Sequence, residues 1–179
     1  MNEKTYKPAT LVVHQGKDRD PFTGAATIPI YQASTYHHPA GQQGEYDYAR
    51  SGNPSREQVE QAVALLEGAE YGFAYASGMA AIGSALALLK SGDHLIVPDD
   101  LYGGSYRYLT QLIPEMGIDV TFTDLCDLKK IEAAITDKTR GIFIETPSNP
   151  QFQISDIRGI VAIAKKKEIL TFLENTFMN

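Results

Sequence analysis

From residue 55 onward, short apolar runs alternate along the chain with segments of helical periodicity. The apolar runs have the length of β-strands, and the segments between them repeat apolar residues at spacings of three and four. Alternating strands and helices are typical of a parallel sheet, because each crossover between parallel strands needs a helix-sized connection. This feature predicts an α/β fold with a mostly parallel sheet, whose ligands bind at the carboxyl ends of the strands.

The predicted elements can be placed by residue number. Strands are expected at 71–76, 94–98, 119–123, 141–145 and 169–173. Helices are expected at 55–67, 79–90, 104–116, 127–135 and 155–167. Ser55 with Gln58 suggests a capping box at the start of the first helix, Gly68 ends it, and Ser155 is expected to cap the last helix. The first helix carries an apolar stripe formed by Val59, Ala62, Val63 and Leu66.

Residues 1–54 show little periodicity and many turn-forming Gly and Pro residues. We expect this segment to be an extended arm, distinct from a domain that occupies residues 55–179. Irregular segments of this length are rare within a compact monomer. The arm is therefore predicted to pack on a partner subunit.

Charge and composition exclude several classes of function. Sixteen Lys and Arg against 22 Asp and Glu give a formal net charge of -6, which argues against nucleic-acid binding. Neither a signal peptide nor an apolar run of membrane-spanning length is visible, and Cys126 has no cysteine partner. We expect a cytoplasmic protein that is not bound to a membrane.

A run of small residues containing Ser77, Gly78 and Met79 joins a predicted strand to a predicted helix. Small side chains there would let a phosphate approach the free N–H groups of the helix, and the Ser77 hydroxyl adds a donor. A tight turn that only lets helix and strand pack closely remains the alternative. Neither a dinucleotide fingerprint nor a P-loop occurs in the chain.

Other polar and aromatic groups follow predicted strands or precede the first helix. Tyr48 and Arg50 lie just before that helix, Tyr102 follows the strand at 94–98, and the polar turn 145–150 follows the strand at 141–145. Each segment could be an ordinary loop, but the carboxyl side of successive strands is where an α/β sheet places its site.

Metal and nucleophile sites are not expected. His37 and His38 are adjacent, and His14 and His94 lack partners at ligand spacing. No G-x-S-x-G motif is present, and acidic neighbours disfavour a thiolate at Cys126.

Together these segments resemble the cystathionine γ-synthase, γ-lyase and β-lyase family of pyridoxal-phosphate enzymes of Cys and Met metabolism. The resemblance covers nearly the whole chain and implies the large domain of the aspartate aminotransferase-like type I fold, with helices on both faces of the sheet. The matching segments include 29–31, 48–54, 66–69, 77–82, 92–94, 102–104, 145–150 and 175–177.

The resemblance also implies roles for individual residues. Gly78 and Met79, with Ser77, would hold the cofactor phosphate through backbone N–H groups. Tyr48 and Arg50 would reach that phosphate in a neighbouring subunit, within a homo-oligomer that is a dimer of dimers in the family.

The cofactor ring has its own implied contacts. Tyr102 would stack on the pyridine ring, and Asn149 would donate to its phenolic oxygen. Thr176 is also implied to bind the cofactor. Glu174 stands where the family has the Asp that keeps the pyridine nitrogen protonated, and misplacement by about 1 Å can cost about a hundredfold in rate.

A second departure concerns length. The family's Schiff-base lysine lies in a Ser-x-Thr-Lys segment that would follow residue 179, and none of the lysines present corresponds to it. We therefore expect an N-terminal fragment without the small substrate-binding domain. The strand at 71–76 would then lack its neighbour.

The function implied is elimination or replacement at the β or γ carbon of cystathionine or an O-acylhomoserine, with pyridoxal phosphate as cofactor. Two alternatives stay open. The chain could be an inactive shortened product or a partner of a full-length subunit, or it could be a phosphate-binding α/β domain without covalent chemistry.

Overall fold

The computed structural model describes residues 7–14, 20 and 22–178, apart from the side chains of Val12 and His14. Contacts between residues divide the chain into two compact units, Met1–Ala76 and Ser77–Asn179. The expected division between an arm at 1–54 and a domain at 55–179 stays a prediction. The side chain of His14, which entered the sequence interpretation, lies outside the described part.

The first unit contains two helices, α1 (Pro8–His14) and α2 (Pro54–Glu67), which contact each other. Residues 22–53 are irregular as expected, with one antiparallel bridge between Thr35 and Tyr48. The prediction of an arm without regular structure is wrong for residues 8–14. Pro8 opens that helix, where its missing N–H and fixed φ are tolerated.

The cap of α2 is Asn53, and the predicted capping box at Ser55 is wrong. The side-chain oxygen of Asn53 accepts hydrogen bonds from the N–H groups of Ser55 at 2.9 Å and Arg56 at 3.4 Å. The Ser55 hydroxyl instead accepts from the N–H of Tyr31 at 2.8 Å. At the other end Gly68 adopts the left-handed conformation with φ 62°, which confirms the predicted helix end.

The apolar stripe of α2 lies largely on the surface of its unit. Val59, Val63 and Leu66 are exposed by 55%, 49% and 42%. An amphipathic helix in a globular unit normally buries that stripe against the core. This face of α2 is therefore apolar and open.

The second unit is a four-stranded parallel sheet with the order β2-β1-β3-β4. Its strands are β1 (His94–Pro98), β2 (Asp119–Thr123), β3 (Thr139–Glu145) and β4 (Leu170–Glu174). Its helices are α3 (Gly78–Leu86), α4 (Gly103–Arg107), α5 (Leu128–Ala134) and α6 (Ile157–Lys166). After α4 the chain continues through a π-helical turn, Tyr108–Leu112, and a 3-10 turn, Pro114–Met116.

Helices cover both faces of this sheet. Successive side chains of a strand point to opposite faces, so neighbouring residues of β1 pack against different helices. Leu95 and Val97 of β1 belong to one buried cluster, together with Leu86 of α3. Ile96, which lies between them in sequence, belongs to a second cluster that contains Ile131 of α5 and Ile160 of α6. The predicted α/β architecture with a parallel sheet is confirmed.

The bounds of the strands follow the prediction closely, with one exception. β1 and β2 match it, β3 begins two residues earlier, and β4 is displaced by one residue. The strand predicted at 71–76 is wrong, because these residues form no strand and Tyr71 and Phe73 are exposed by 69% and 73%. A strand needs a neighbour for its backbone hydrogen bonds, and no strand in the described residues pairs with this segment.

Two helix ends also differ from the prediction. α6 is capped by Asp156, whose Oδ1 accepts from Gly159 N at 3.0 Å, so the predicted cap at Ser155 is wrong. Ser155 is held by its own N–H, which donates to the Thr146 hydroxyl at 3.0 Å. The helix predicted at 79–90 ends at Leu86 and gives way to turns.

Candidate active site

The carboxyl ends of β3 and β4, the loop after β1 and the first turn of α3 surround a cavity of about 370 Å³. Its size falls in the range of small-ligand pockets, about 300 to 1,000 Å³. It is lined by Ser77, Gly78, Met79, Ile82, Tyr102, Ser105, Glu145, Asn149, Glu174, Thr176 and Phe177.

The first turn of α3 supplies hydrogen-bond donors to this cavity. Ser77 caps the helix with extended backbone angles, and its hydroxyl accepts from Ala80 N at 3.2 Å. The N–H groups of Gly78 and Met79 follow the cap, where a helix has no internal acceptors for its N–H groups. These groups and the helix dipole favour an anion.

Two loops on the opposite side are joined by one carboxylate. Oε1 of Glu145 accepts hydrogen bonds from Tyr102 N at 2.8 Å and from Asn149 N at 3.1 Å. Tyr102 lies in the loop after β1 and Asn149 in the loop after β3. Tyr102 and Asn149 both line the cavity, so Glu145 connects two parts of its wall.

Glu145 itself is buried, with only 2% of its surface exposed. Burial, together with the negative charges of Glu174 and Asp100, raises the pKa of its carboxyl from the ordinary 4.5 to about 7. The two backbone N–H groups act in the opposite direction. Oε2 of Glu145 accepts no hydrogen bond from the described residues.

A second bridge between the same loops lies next to this one. The Ser148 hydroxyl donates to Oδ2 of Asp100, and Gln151 N donates to that oxygen at 3.1 Å. Asp100 and Ser148 are both buried. The peptide bonds Thr146–Pro147 and Asn149–Pro150 in the loop after β3 are cis.

The carboxyl end of β4 places a second acid in the cavity. Glu174 pairs in register with Glu145 across the sheet. Oε1 of Glu174 accepts from Thr176 N at 3.1 Å and also from the Thr176 hydroxyl. The chain after β4 therefore folds back onto its own acid and brings Thr176 to the cavity wall.

Seven of the nine predicted site residues line this one cavity. They come from the start of α3, the loop after β1, the loop after β3 and the end of β4. The other two, Tyr48 and Arg50, belong to the first unit, where the Arg50 guanidinium lies 4.6 Å from the centroid of the Tyr48 ring. Both side chains are exposed.

Four lining residues were missed by the sequence interpretation: Ile82, Ser105, Glu145 and Phe177. Ile82 lies one helical turn after Gly78 and Met79 in α3, so helical spacing could have indicated it. Ser105 lies three residues after Tyr102 and is fully buried, with its hydroxyl 4.0 Å from Sδ of Met79. The position of Glu145 at a strand end was visible, but its burial was not.

Neither a metal-binding cluster nor a membrane-spanning helix occurs in the part of the chain that the structure describes. No group of three or more His, Cys, Asp or Glu side chains there could hold a metal ion. No helix in that part of the chain is both long and apolar enough to span a membrane.

A model of the family described as Cys/Met metabolism PLP-dependent enzyme matches residues 9–179. The chain belongs to this family. The described fold agrees, since the PLP-dependent family member cystathionine gamma-lyase from Lactobacillus plantarum, solved in complex with L-serine, superposes with a TM-score of 0.92. That structure is 42% identical, and the match covers 96% of this chain and 45% of the other.

Two relatives in the PLP-dependent family come from Bacillus subtilis. Cystathionine beta-lyase MetC is 44% identical over 179 residues, covering 99% of this chain and 46% of the relative. Cystathionine gamma-lyase is 45% identical over 172 residues, covering 96% of this chain and 45% of the relative. The chain thus spans less than half the length of the relatives it matches.

Proposed function

We propose that the cavity of the second unit binds pyridoxal phosphate, as part of an enzyme that eliminates or replaces a group at the β or γ carbon of a sulfur-containing amino acid such as cystathionine or of an O-acylhomoserine. The observation that carries the proposal is the convergence of seven residues from four separate segments on one cavity. Membership of a PLP-dependent family supports the cofactor.

The residues at the cavity suit the parts of the cofactor. Gly78 and Met79 would donate backbone N–H groups to the phosphate, and Tyr102 offers a flat aromatic face to the ring. Asn149 would donate to the phenolic oxygen. Glu174 would hold the proton on the pyridine nitrogen. When bound, pyridoxal phosphate supplies an electron sink for the negative charge that develops on the substrate α-carbon.

Relatives named for different reactions are about equally similar to this chain. The two Bacillus subtilis relatives carry different names and are 44% and 45% identical to this chain. We therefore propose the substrate class alone.

A subunit interface is part of the proposal. Tyr48 and Arg50 would contact the phosphate bound by a partner subunit, since a guanidinium forms strong hydrogen bonds with phosphate. The exposed apolar stripe of α2, which contains Val59 and Val63, supports an interface on the first unit.

A second candidate function is non-covalent binding by this chain alone. No lysine of the described residues lines the cavity. Without an amine there, the 179-residue chain would bind pyridoxal phosphate through the phosphate and ring contacts only. It would then act by itself as a binding unit, or with a complete subunit that provides the lysine.

The experiment is a titration of the purified chain with pyridoxal phosphate, followed by absorbance and by quenching of tyrosine fluorescence. Pyridoxal without phosphate and inorganic phosphate serve as separate probes. We expect saturable binding that is at least about tenfold tighter for pyridoxal phosphate than for pyridoxal, because the phosphate contacts are charge-assisted. Equal affinity for both, or no saturation, would overturn the proposed site.

Treatment of the complex with borohydride, followed by mass spectrometry, separates the two candidates. Recovery of unmodified chain indicates non-covalent binding. A stoichiometric adduct on one lysine would contradict it.

A further inference from the structure

Glu145 has no role in the proposed contacts with the cofactor, although it is the most buried acid at the cavity. Its Oε1 receives two backbone N–H groups, from Tyr102 at 2.8 Å and from Asn149 at 3.1 Å. These residues lie 47 positions apart in sequence, in loops that follow neighbouring strands. One oxygen atom therefore ties Tyr102 directly to Asn149, beside the separate bridge from Asp100 to Ser148 and Gln151.

The two residues that share this oxygen are those proposed to contact the cofactor ring. Tyr102 is the N-cap of α4 and has no side-chain capping bond of its own, and its surface is 47% exposed. The hydrogen bond from the Tyr102 N–H to Glu145 is thus a main restraint on the position of the Tyr102 ring. A ring that stacks on a ligand must be held at a defined distance, with centroids roughly 4.5 to 7 Å apart.

We propose that Glu145 is a positioning residue of the cofactor site, which sets the separation of Tyr102 and Asn149 by accepting both of their backbone N–H groups on a single carboxylate oxygen. The inference rests on the proposed function for its ligand, but the restraint itself exists in the empty protein. In this role Glu145 acts through these two residues.

The second carboxylate oxygen of Glu145, Oε2, explains how Glu145 can lie next to Glu174. Oε2 is buried without a hydrogen-bond partner in the described residues, and Glu174 is the register neighbour of Glu145 on the adjacent strand. A proton on Oε2 would remove the repulsion between the two acids and leave Oε1 as an acceptor. Gln at position 145 reproduces this arrangement, because its carbonyl accepts hydrogen bonds while its NH2 group faces the same surroundings.

The test compares Glu145→Gln, which keeps the acceptor, with Glu145→Leu, which removes it. Thr139→Val is a matched control at the opposite end of the same strand. Thr139 is buried, its hydroxyl accepts from Thr136 N at 2.8 Å, and it lies 2.8 Å from Nδ1 of His94. This control loses the hydrogen bonds of the Thr139 hydroxyl to Thr136 and His94, at the end of β3 opposite to the cavity.

Two measurements are made on the ligand-free chain and on its complex. Amide hydrogen exchange of Tyr102 and Asn149, followed by nuclear magnetic resonance, reports the restraint without any ligand. Titration with pyridoxal phosphate reports its effect on the site. Thermal unfolding of each variant shows how much of any change is a general loss of stability.

In Glu145→Leu we expect both amides to exchange at least about tenfold faster and the affinity for pyridoxal phosphate to fall about tenfold, since each lost bond of this kind is worth about that factor. In Glu145→Gln we expect both quantities to stay within about threefold of the wild type. Thr139→Val should lower the unfolding temperature and leave the affinity unchanged.

The outcomes separate the two proposals. Slow exchange of both amides in Glu145→Leu overturns the positioning role, as does an equal loss of affinity in Glu145→Leu and Thr139→Val. If Glu145→Leu fails to fold, a large loss of affinity in the folded Glu145→Gln variant contradicts the proposal instead. Absence of pyridoxal phosphate binding in the wild type overturns the proposed function, while the amide measurements still judge the restraint.

Discussion

Glu145 and Glu174 are register partners on the neighbouring parallel strands β3 and β4, and both side chains line the same cavity. Two neighbouring carboxylates repel each other, so the negative charge of each must be neutralised by a proton or stabilised by hydrogen bonds. Glu174 accepts two hydrogen bonds from Thr176. Glu145 is buried, and its pKa is raised to about 7 by that burial and by the charge of Glu174.

The raised pKa of Glu145 predicts how stability depends on pH. The folded protein holds this proton more tightly than the unfolded chain, so the stabilisation is complete below about pH 4.5 and is lost as the pH rises through about 7. At 1.36 kcal/mol per pKa unit, the interval from 4.5 to about 7 corresponds to about 3 kcal/mol. The variant Glu145→Gln cannot ionise, so we expect it to escape this loss.

Urea unfolding of the wild type and Glu145→Gln across about pH 5 to about pH 8 measures the effect. Burial lowers the pKa of His94, which favours the folded state as the pH rises and opposes the Glu145 effect. His94 is present in both proteins, so the difference between their free energies of unfolding isolates Glu145. A difference that is constant across the range would show that Glu145 does not titrate there.

A second prediction concerns the charge of Glu174. Replacing Glu174 by Gln keeps the size of the side chain but removes its negative charge. If Glu174 holds the proton on the pyridine nitrogen, the affinity for pyridoxal phosphate should fall about tenfold or more, because a hydrogen bond to a charged group is worth about 1.5 to 3 kcal/mol. Fluorescence titration at constant ionic strength measures this change.

Glu174→Asp is the matched control for charge. It shortens the side chain by one methylene and keeps the carboxylate, so its affinity should stay closer to the wild type than that of Glu174→Gln. If both variants bind alike, the charge at this position does not matter for the cofactor. That result would contradict the proposed role of the Glu174 carboxylate in binding the pyridine nitrogen.

The parts of the fold that could be read from the sequence are those set by local signals. β1 and β2 were predicted at their observed bounds because β1 is a short, mostly apolar run and β2 alternates polar with apolar residues, each between clear turns. The strand at 71–76 has the same local character but no partner in the described sheet, and pairing is a property of the whole fold. Local pattern alone could not distinguish the two situations.

For the site, the residue types could be predicted but the links between them could not. Tyr102 and Asn149 were expected near one another because they follow parallel strands, and Glu174 was expected at the site from the family resemblance. Glu145 was visible as part of the same polar turn. Its burial and its bond to Tyr102, 43 positions away, depend on packing that no local spacing reveals.

A third prediction tests the cap of α2. Asn53 accepts from Ser55 N and Arg56 N and donates to the Tyr31 carbonyl at 3.1 Å. We expect Asn53→Ala to lower the free energy of unfolding by about 1 to 2 kcal/mol, the usual cost of losing such a cap. Ser55→Ala, the position that the sequence suggested as the cap, should cost less because its hydroxyl accepts one bond from Tyr31 N. Urea unfolding followed by circular dichroism compares them, and a larger loss for Ser55→Ala would contradict the observed cap.

A fourth prediction concerns the anion site at the start of α3. Gly78 is the first residue of this helix, where proline is well tolerated, and Ser77 before it already has the extended angles φ -159° and ψ 158° that precede a proline. Gly78→Pro therefore removes one N–H donor while keeping the helix. We expect the affinity for pyridoxal phosphate to fall about tenfold, the value of one charge-assisted hydrogen bond, with little change for pyridoxal.

Gly78→Ala is the control for that variant, because it keeps the N–H and adds a methyl group that meets no atom within 4 Å. Its affinity should equal that of the wild type, and its stability should rise by up to about 1 kcal/mol, as expected when Ala replaces Gly in a helix. Parallel titrations with pyridoxal phosphate, pyridoxal and inorganic phosphate make the comparison. Equal losses in Gly78→Ala and Gly78→Pro would mean that the open space at this residue is needed, and that its N–H group does not hold the anion.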